Sequence, residues 1–263
     1  MFRRPFGILL ACALLSTWGC HGGGPLPVVP APASPTADTI TITSGVDALR
    51  TGFFADFTVT ASMSDRTTQI VTSQAAWTTS NAALATVDGN GRLTAVGNGT
   101  VSLNATYQGR SATRGIRIVH NYGGQWTGSY VARSCDQTGV FASARYCQNL
   151  GSSPSPLGLD ITQSGASVDE IAGMISLRGL VGPVTGRVTG DGRLVLSASY
   201  VAVAGGASQR VEIPMWSTSP AGALGMTGSF VQTLAVVGSD GTATQTNEIV
   251  TASRRADATT GGR

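Results

Sequence analysis

Apolar and polar residues alternate in short runs between residue 39 and about residue 120. Ile40 and Ile42, then Phe57, Val59 and Ala61, recur with period two, the spacing that puts every second side chain on one face of a strand. Asp88-Gly89, Asn90-Gly91 and Asn98-Gly99 break the runs with hairpin-type dipeptides. Several short strands in so few residues predict a small β-sandwich. A second β pattern runs from about Tyr122 to Ser253, with candidate strands near 124–133, 157–163, 168–178, 182–189, 193–203, 209–217, 223–236 and 243–252. Asp191-Gly192 and Asp240-Gly241 are tight turns between neighbours, which favours sequential up-and-down connections. Eight such strands can close into an antiparallel barrel with a filled interior or one small pocket. An open sandwich is the competing arrangement.

The second region repeats a unit. Trp126-Thr-Gly-Ser-Tyr130, Val184-Thr-Gly-Arg-Val188 and Met226-Thr-Gly-Ser-Phe230 share the form apolar-Thr-Gly-x-apolar, and Ile171-Ala-Gly-Met-Ile175 is close to it. First, third and fifth residues of a strand point the same way, so each unit sets a Gly between two large side chains on one face. That face is expected inside: Trp126, Gly128, Tyr130, Val184, Gly186, Val188, Met226, Gly228 and Phe230. Alternating large and absent side chains suit the tapering interior of a small barrel, and Gly lets a strand bend where the sheet coils.

Composition agrees with an all-β chain. Of 263 residues only 12% are charged, about half the usual 25%, and there are 35 Gly. The net charge is +3, but Arg3 and Arg4 fall in the first twenty residues, MFRRPFGILLACALLSTWGC. That stretch has a basic start, an apolar run from Phe6 to Leu15 and small residues before Cys20, the layout of an export signal and too short to span a bilayer. Without the leader the 17 basic residues fall to within one of the 14 acidic ones. No basic stripe remains for nucleic acid and no polybasic patch for anionic lipid.

The end of the leader, Thr17-Trp18-Gly19-Cys20, resembles the lipobox of a bacterial lipoprotein signal peptide. The resemblance implies cleavage of residues 1–19, acylation of Cys20 and attachment to a membrane of the bacterial cell envelope, at the outer membrane or cell surface. Thr17 and Trp18 depart from the family's preference for Leu three residues before the Cys; ordinary secretion, with Cys20 a stray thiol, is the other reading. Residues 20–38 follow as a Pro/Gly-rich tether with five Pro between His21 and Asp38. Residues 255–263 read as a disordered tail.

Within residues 39–120, Trp77-Thr-Thr-Ser-Asn81, Leu84-Ala-Thr-Val-Asp88, Gly91-Arg-Leu-Thr-Ala-Val96 and Gly99-Thr-Val-Ser-Leu-Asn-Ala-Thr-Tyr107 resemble, in order, the pattern of the bacterial immunoglobulin-like group 2 (BIG2) domain. The resemblance implies an immunoglobulin-like sandwich used as a spacer, with Trp77 an anchor of its core. In residues 121–254, Gly124-Gln125-Trp126 resembles the G-x-W start of lipocalins, and Thr127-Gly128-Ser129-Tyr130 is similar to avidin-like strands; this likeness concerns the fold alone.

Chemistry is sparse. Cys12 lies in the leader and Cys20 at its end, so Cys135 and Cys147 are the remaining pair, expected as a disulfide in an oxidising compartment. No His follows His120, which leaves the two Cys without partners for a tetrahedral zinc site. Asp160 alternates with Leu159 and Ile161 and should face solvent. Asp169 and Glu170 should point to opposite faces of a strand. No nucleophile, base or metal set converges, so the reading is a non-catalytic binding or surface-structural protein without a cofactor; a hydrolase in the terminal region is the rival class. For binding, Trp126, Tyr130, Tyr200, Trp216 and Phe230 are the candidates to line one end of the barrel against a small apolar ligand or a glycan, their alternative being core packing. Trp216 shares its face with Glu212 and Pro214, opposite Val211, Ile213 and Met215, so it is expected to be exposed unless a bulge at Pro214 reverses the alternation.

Overall fold

A computed structural model describes residues 34–163, 167–222 and 224–255. The leader, Cys20, most of the tether and the residues after 255 lie outside the described residues. The fold is all-β. Ten short strands come first: β1 (Ala37–Thr43), β2 (Ala48–Arg50), β3 (Phe54–Asp56), β4 (Thr58–Met63), β5 (Thr68–Ile70), β6 (Ala76–Thr79), β7 (Ala85–Val87), β8 (Arg92–Ala95), β9 (Gly99–Tyr107) and β10 (Arg110–Val119). They form sheets ordered β1-β4-β5, β2-β10-β9-β6 and β3-β8-β7. All pairings are antiparallel except β2 with β10, where Leu49 lies beside Ile118 in parallel register. The alternation read from the sequence sends Ile40, Ile42, Val59 and Ala61 from one sheet and Val101, Leu103, Ile116 and Ile118 from another into one apolar core. Trp77 is half-buried at the edge of that core, where its indole N–H donates to the Thr72 carbonyl at 2.9 Å. It packs against the sandwich interior without being enclosed by it.

Eight strands then close a barrel in sequence order: β11 (Gly124–Gln137), β12 (Ser155–Gln163), β13 (Glu170–Leu177), β14 (Leu180–Val188), β15 (Leu194–Ala204), β16 (Ala207–Pro220), β17 (Met226–Val236) and β18 (Ala243–Arg254). β18 returns to β11 and leaves no edge unpaired. The large members of the repeated unit, Trp126, Tyr130, Ile171, Ile175, Val184, Val188, Met226 and Phe230, are all buried in one core. The glycines between them do more than leave room inside. A Cβ on Gly128, Gly173, Gly186 or Gly228 would overlap the backbone carbonyl oxygen of Thr251, Asp160, Val195 or Ser217, respectively, on the neighbouring strand. At each unit the strand presses its backbone against its neighbour, so only Gly fits.

Trp216 corrects the expected alternation. Val211 and Ile213 point inward as expected, but Trp216 is 0% exposed and Met215 is 59% exposed. The register against β17 shifts between Glu212 and Met215, around Pro214, and the register of β15 against β16 shifts between Leu196 and Ala198. The bulge moves the following side chains to the opposite face. Asp169 is also placed differently from expectation: it sits in the turn before β13, not within the strand.

Candidate functional site at the junction of sandwich and barrel

The five aromatic candidates do not gather around an opening. Trp216 stacks on Phe230 with ring centroids 4.7 Å apart, and Tyr130 meets Phe230 edge-on at 5.1 Å. The Trp216 indole N–H donates to the hydroxyl of Thr218, itself buried on the same strand. Trp126 stands apart from this trio, donating its indole N–H to the Tyr122 carbonyl at 2.7 Å and packing against the Tyr122 ring. Tyr200 lies across Gly182, whose missing side chain leaves the space its ring occupies, and its hydroxyl donates to the Leu180 carbonyl. Burial pushes the Tyr200 phenol up to about 12, and raises the Tyr130 phenol as well. These side chains are the packed core of the barrel.

Polar side chains also enter the barrel interior, from beside Phe230 outward. Gln232, Gln245 and Asn247 are buried inward residues of β17 and β18. Gln245 donates its amide to the Tyr146 hydroxyl at 3.0 Å. Asn247 is wholly buried, with neither amide atom partnered among the described residues. Tyr146 belongs to a helical insertion, α1 (Gly139–Ser143) and α2 (Tyr146–Asn149), that follows β11. The insertion packs Phe141 and Tyr146 onto the barrel core, and the Cys135–Cys147 disulfide, Cα atoms 5.7 Å apart, ties α2 back to β11. The expected disulfide is therefore present. No group of three or more His, Cys, Asp or Glu side chains suited to a metal occurs among the described residues.

A buried polar side chain with no distinguishing motif around it joins the two parts of the chain. Gln163, the last residue of β12, is 4% exposed. Its side-chain oxygen accepts the Tyr122 backbone N–H at 2.8 Å, and its amide nitrogen donates to the carbonyls of His120 and Val168 at 3.1 and 2.6 Å. Its own carbonyl accepts Nη1 of Arg50, from β2 of the sandwich, at 2.7 Å. One residue thus holds the linker between the two parts, a barrel turn and a sandwich strand. Beside it Arg117 of β10 grips Asp169 with both terminal nitrogens, each at 2.7 Å. The hydrogen bond from Arg117 holds the Asp169 carboxyl below the usual range, against the opposing effect of burial. Tyr122 completes the set, its ring buried and its hydroxyl donating to the Gly192 carbonyl at 2.9 Å. His120 lies at this junction; its ring meets Tyr122 edge-on, and burial, followed by the charge of Arg254, lowers its pKa.

No family model matches the chain, and no curated protein matches it. Among solved structures, the chain is similar to domains 5–6 of the S-layer protein SbsC, with 14% identity and a TM-score of 0.29 over 79% of this chain and 97% of that one. It is also similar to domains 4–9 of surface layer protein SbsC, with 12% identity and a TM-score of 0.30 over 81% of this chain and 31% of that one.

Proposed function

We propose that this chain is a lipid-anchored protein of the bacterial cell envelope with a structural, non-catalytic role, in which an immunoglobulin-like spacer carries a solid β-barrel as a rigid terminal module. The observation that carries this reading is the Gln163 hub. Four hydrogen bonds on one buried side chain and its carbonyl join sandwich, linker and barrel, and opening the junction would leave the Gln163 amide and the groups it pairs without partners, so the network resists bending. The filled aromatic interior supports a load-transmitting body over a carrier of small apolar ligands. The anchoring rests on the leader, Cys20 and the Pro-rich tether.

The test is made in cells and on purified protein together. A Cys20→Ser chain should move from the membrane to the soluble fraction after its leader is cleaved, while Gln163→Leu should stay on the membrane and lose the rigid relation of its two parts. Retention of the cleaved Cys20→Ser chain on the membrane would refute the anchor. Native mass spectrometry of the purified envelope protein showing a stoichiometric apolar ligand in the barrel would refute the structural role.

A further inference from the structure

The linker between the two parts is pinned from both of them around one histidine. The Thr51 hydroxyl of the sandwich accepts the Asn121 backbone N–H at 3.1 Å. From the barrel, Gln163 donates to the His120 carbonyl and Arg254 donates Nη1 to the carbonyls of Asn121 and Gly123. The His120 side chain is half-buried against the Tyr122 ring, and its Nε2 is wholly buried without a partner among the described residues. A neutral imidazole carries a proton on one ring nitrogen only and can leave the buried one bare. An imidazolium carries an N–H on both, so protonation sets a donor without an acceptor, and a charge, at a buried point. The surroundings give no relief. Along the cleft that His120 lines, the sandwich wall, with Thr51, Val96 and Asn98, holds no titratable side chain among the described residues, and the barrel wall holds one, the cationic Arg254. Tyr122, on the linker itself, spends its hydroxyl on the Gly192 carbonyl. Asp169, the acid of this joint, is held by both terminal nitrogens of Arg117. Burial and the charge of Arg254 accordingly hold the imidazole pKa below its ordinary 6.5.

We propose that the joint is an acid-responsive hinge, in which protonation of His120 sets its charge against Arg254 and parts sandwich from barrel until water reaches the ring, each part keeping its own core. The two apolar cores are separate clusters, so the joint can open without breaking either. In the open joint the hydrated imidazole takes its proton at the ordinary value. Each pH unit below 6.5 then favours opening by up to about tenfold, the limit for one proton, until the lower value of the closed joint is passed. The hinge rests on the rigid joint proposed above and adds the condition under which that rigidity is given up.

The experiment is amide hydrogen exchange by NMR on the Cys20→Ser chain between about pH 7.5 and 5.0, corrected for the intrinsic pH dependence of exchange, a measurement that reads even rare openings. The reporter is Asn121, whose N–H bonds Thr51 across the joint. Its amide should be protected at pH 7.5, yet less so than Leu103 and Leu159 in the two cores, and its protection should fall below pH 6.5 by up to about tenfold per unit. In His120→Gln the protection of Asn121 should not change with pH over this range. Should that variant fail to fold, the parent still decides: the His120 ring resonances should titrate below 6.5, in the range where Asn121 loses protection. An Asn121 amide already unprotected at pH 7.5 overturns the rigid joint and the hinge with it. Protection that does not vary with pH, or that varies equally in His120→Gln, overturns the hinge alone. So does protection equal to that of the cores, which would mean that only whole-molecule unfolding frees the amide, or a His120 ring that titrates at 6.5 or above.

Discussion

Gly228 faces Thr218 across the β16–β17 ladder so closely that a Cβ on it would overlap the carbonyl oxygen of Ser217. Its φ of +153° adds a backbone conformation that side chains with a Cβ rarely adopt. Even Gly228→Ala should therefore be costly, by about 2–3 kcal/mol, and Gly228→Leu no less so. Thr227→Leu, on the exposed outer face, should stay within about 0.5 kcal/mol of the parent. Urea denaturation of the three variants checks this. Equal losses at positions 227 and 228 would contradict the close approach.

Asn247 is the one wholly buried side chain with both amide atoms unpartnered among the described residues. Replacing an unsatisfied buried amide by an apolar group of the same shape removes a desolvation cost. Asn247→Leu should accordingly stabilise the protein by about 1–2 kcal/mol, seen as a higher urea midpoint at unchanged m-value. A clear loss of stability would show that the amide has a partner, such as an internal water.

The Cys135–Cys147 bridge closes a short loop over the barrel end. Reduction, or Cys135→Ala with Cys147→Ala, should cost about 3 kcal/mol by the loop-entropy argument and speed amide exchange in residues 139–149 before the barrel strands. Non-reduced peptide mapping should recover the linked pair. Free thiols at both positions in freshly isolated protein would remove the bridge.

Asp169 and His120 give the junction two acid limbs, in separate pH ranges, to measure. The Asp169 carboxyl titrates lower in the folded protein than its ordinary 3.8 because Arg117 bonds it. Its stabilisation is thus complete above that value and is lost as pH falls through the lower, folded one. The His120 imidazole also titrates lower when folded than its ordinary 6.5. The unfolded chain takes up that proton first, so stability declines as pH drops below about 6.5 and levels off once the folded value is passed. Asp169→Asn should flatten the acid limb below about pH 4 and His120→Gln the one beginning near pH 6.5. Unchanged profiles in both variants would contradict the junction electrostatics.

Much of the fold was legible in the sequence because it rests on periodicity and turn chemistry. Alternation in residues 124–252 located eight strands, and the repeated Thr-Gly units marked the inward face. Trp216 was misplaced because a bulge is a property of two strands in register, whereas alternation describes one. The aromatic candidates illustrate a second limit: residue type marks Trp126, Tyr130 and Phe230 as inward but does not distinguish lining a pocket from filling it. Gln163 carried no signal at all. It ends a strand of ordinary pattern, and its four bonds reach residues up to 113 positions away, a relation that only the closed fold creates. Arg117 and Asp169 are likewise unremarkable until β10 and the turn before β13 meet.

Through the Gln163 hub, sandwich and barrel are expected to move as one body. Pulsed electron–electron resonance between spin labels at Thr68, exposed on β5, and Ser208, on β16 of the barrel, in the Cys20→Ser chain with its disulfide intact, reads that rigidity. A single narrow distance distribution is expected in the parent protein, broadening in Gln163→Leu combined with Arg117→Ala. A broad distribution in the parent protein, or one that the double variant leaves unchanged, would contradict it.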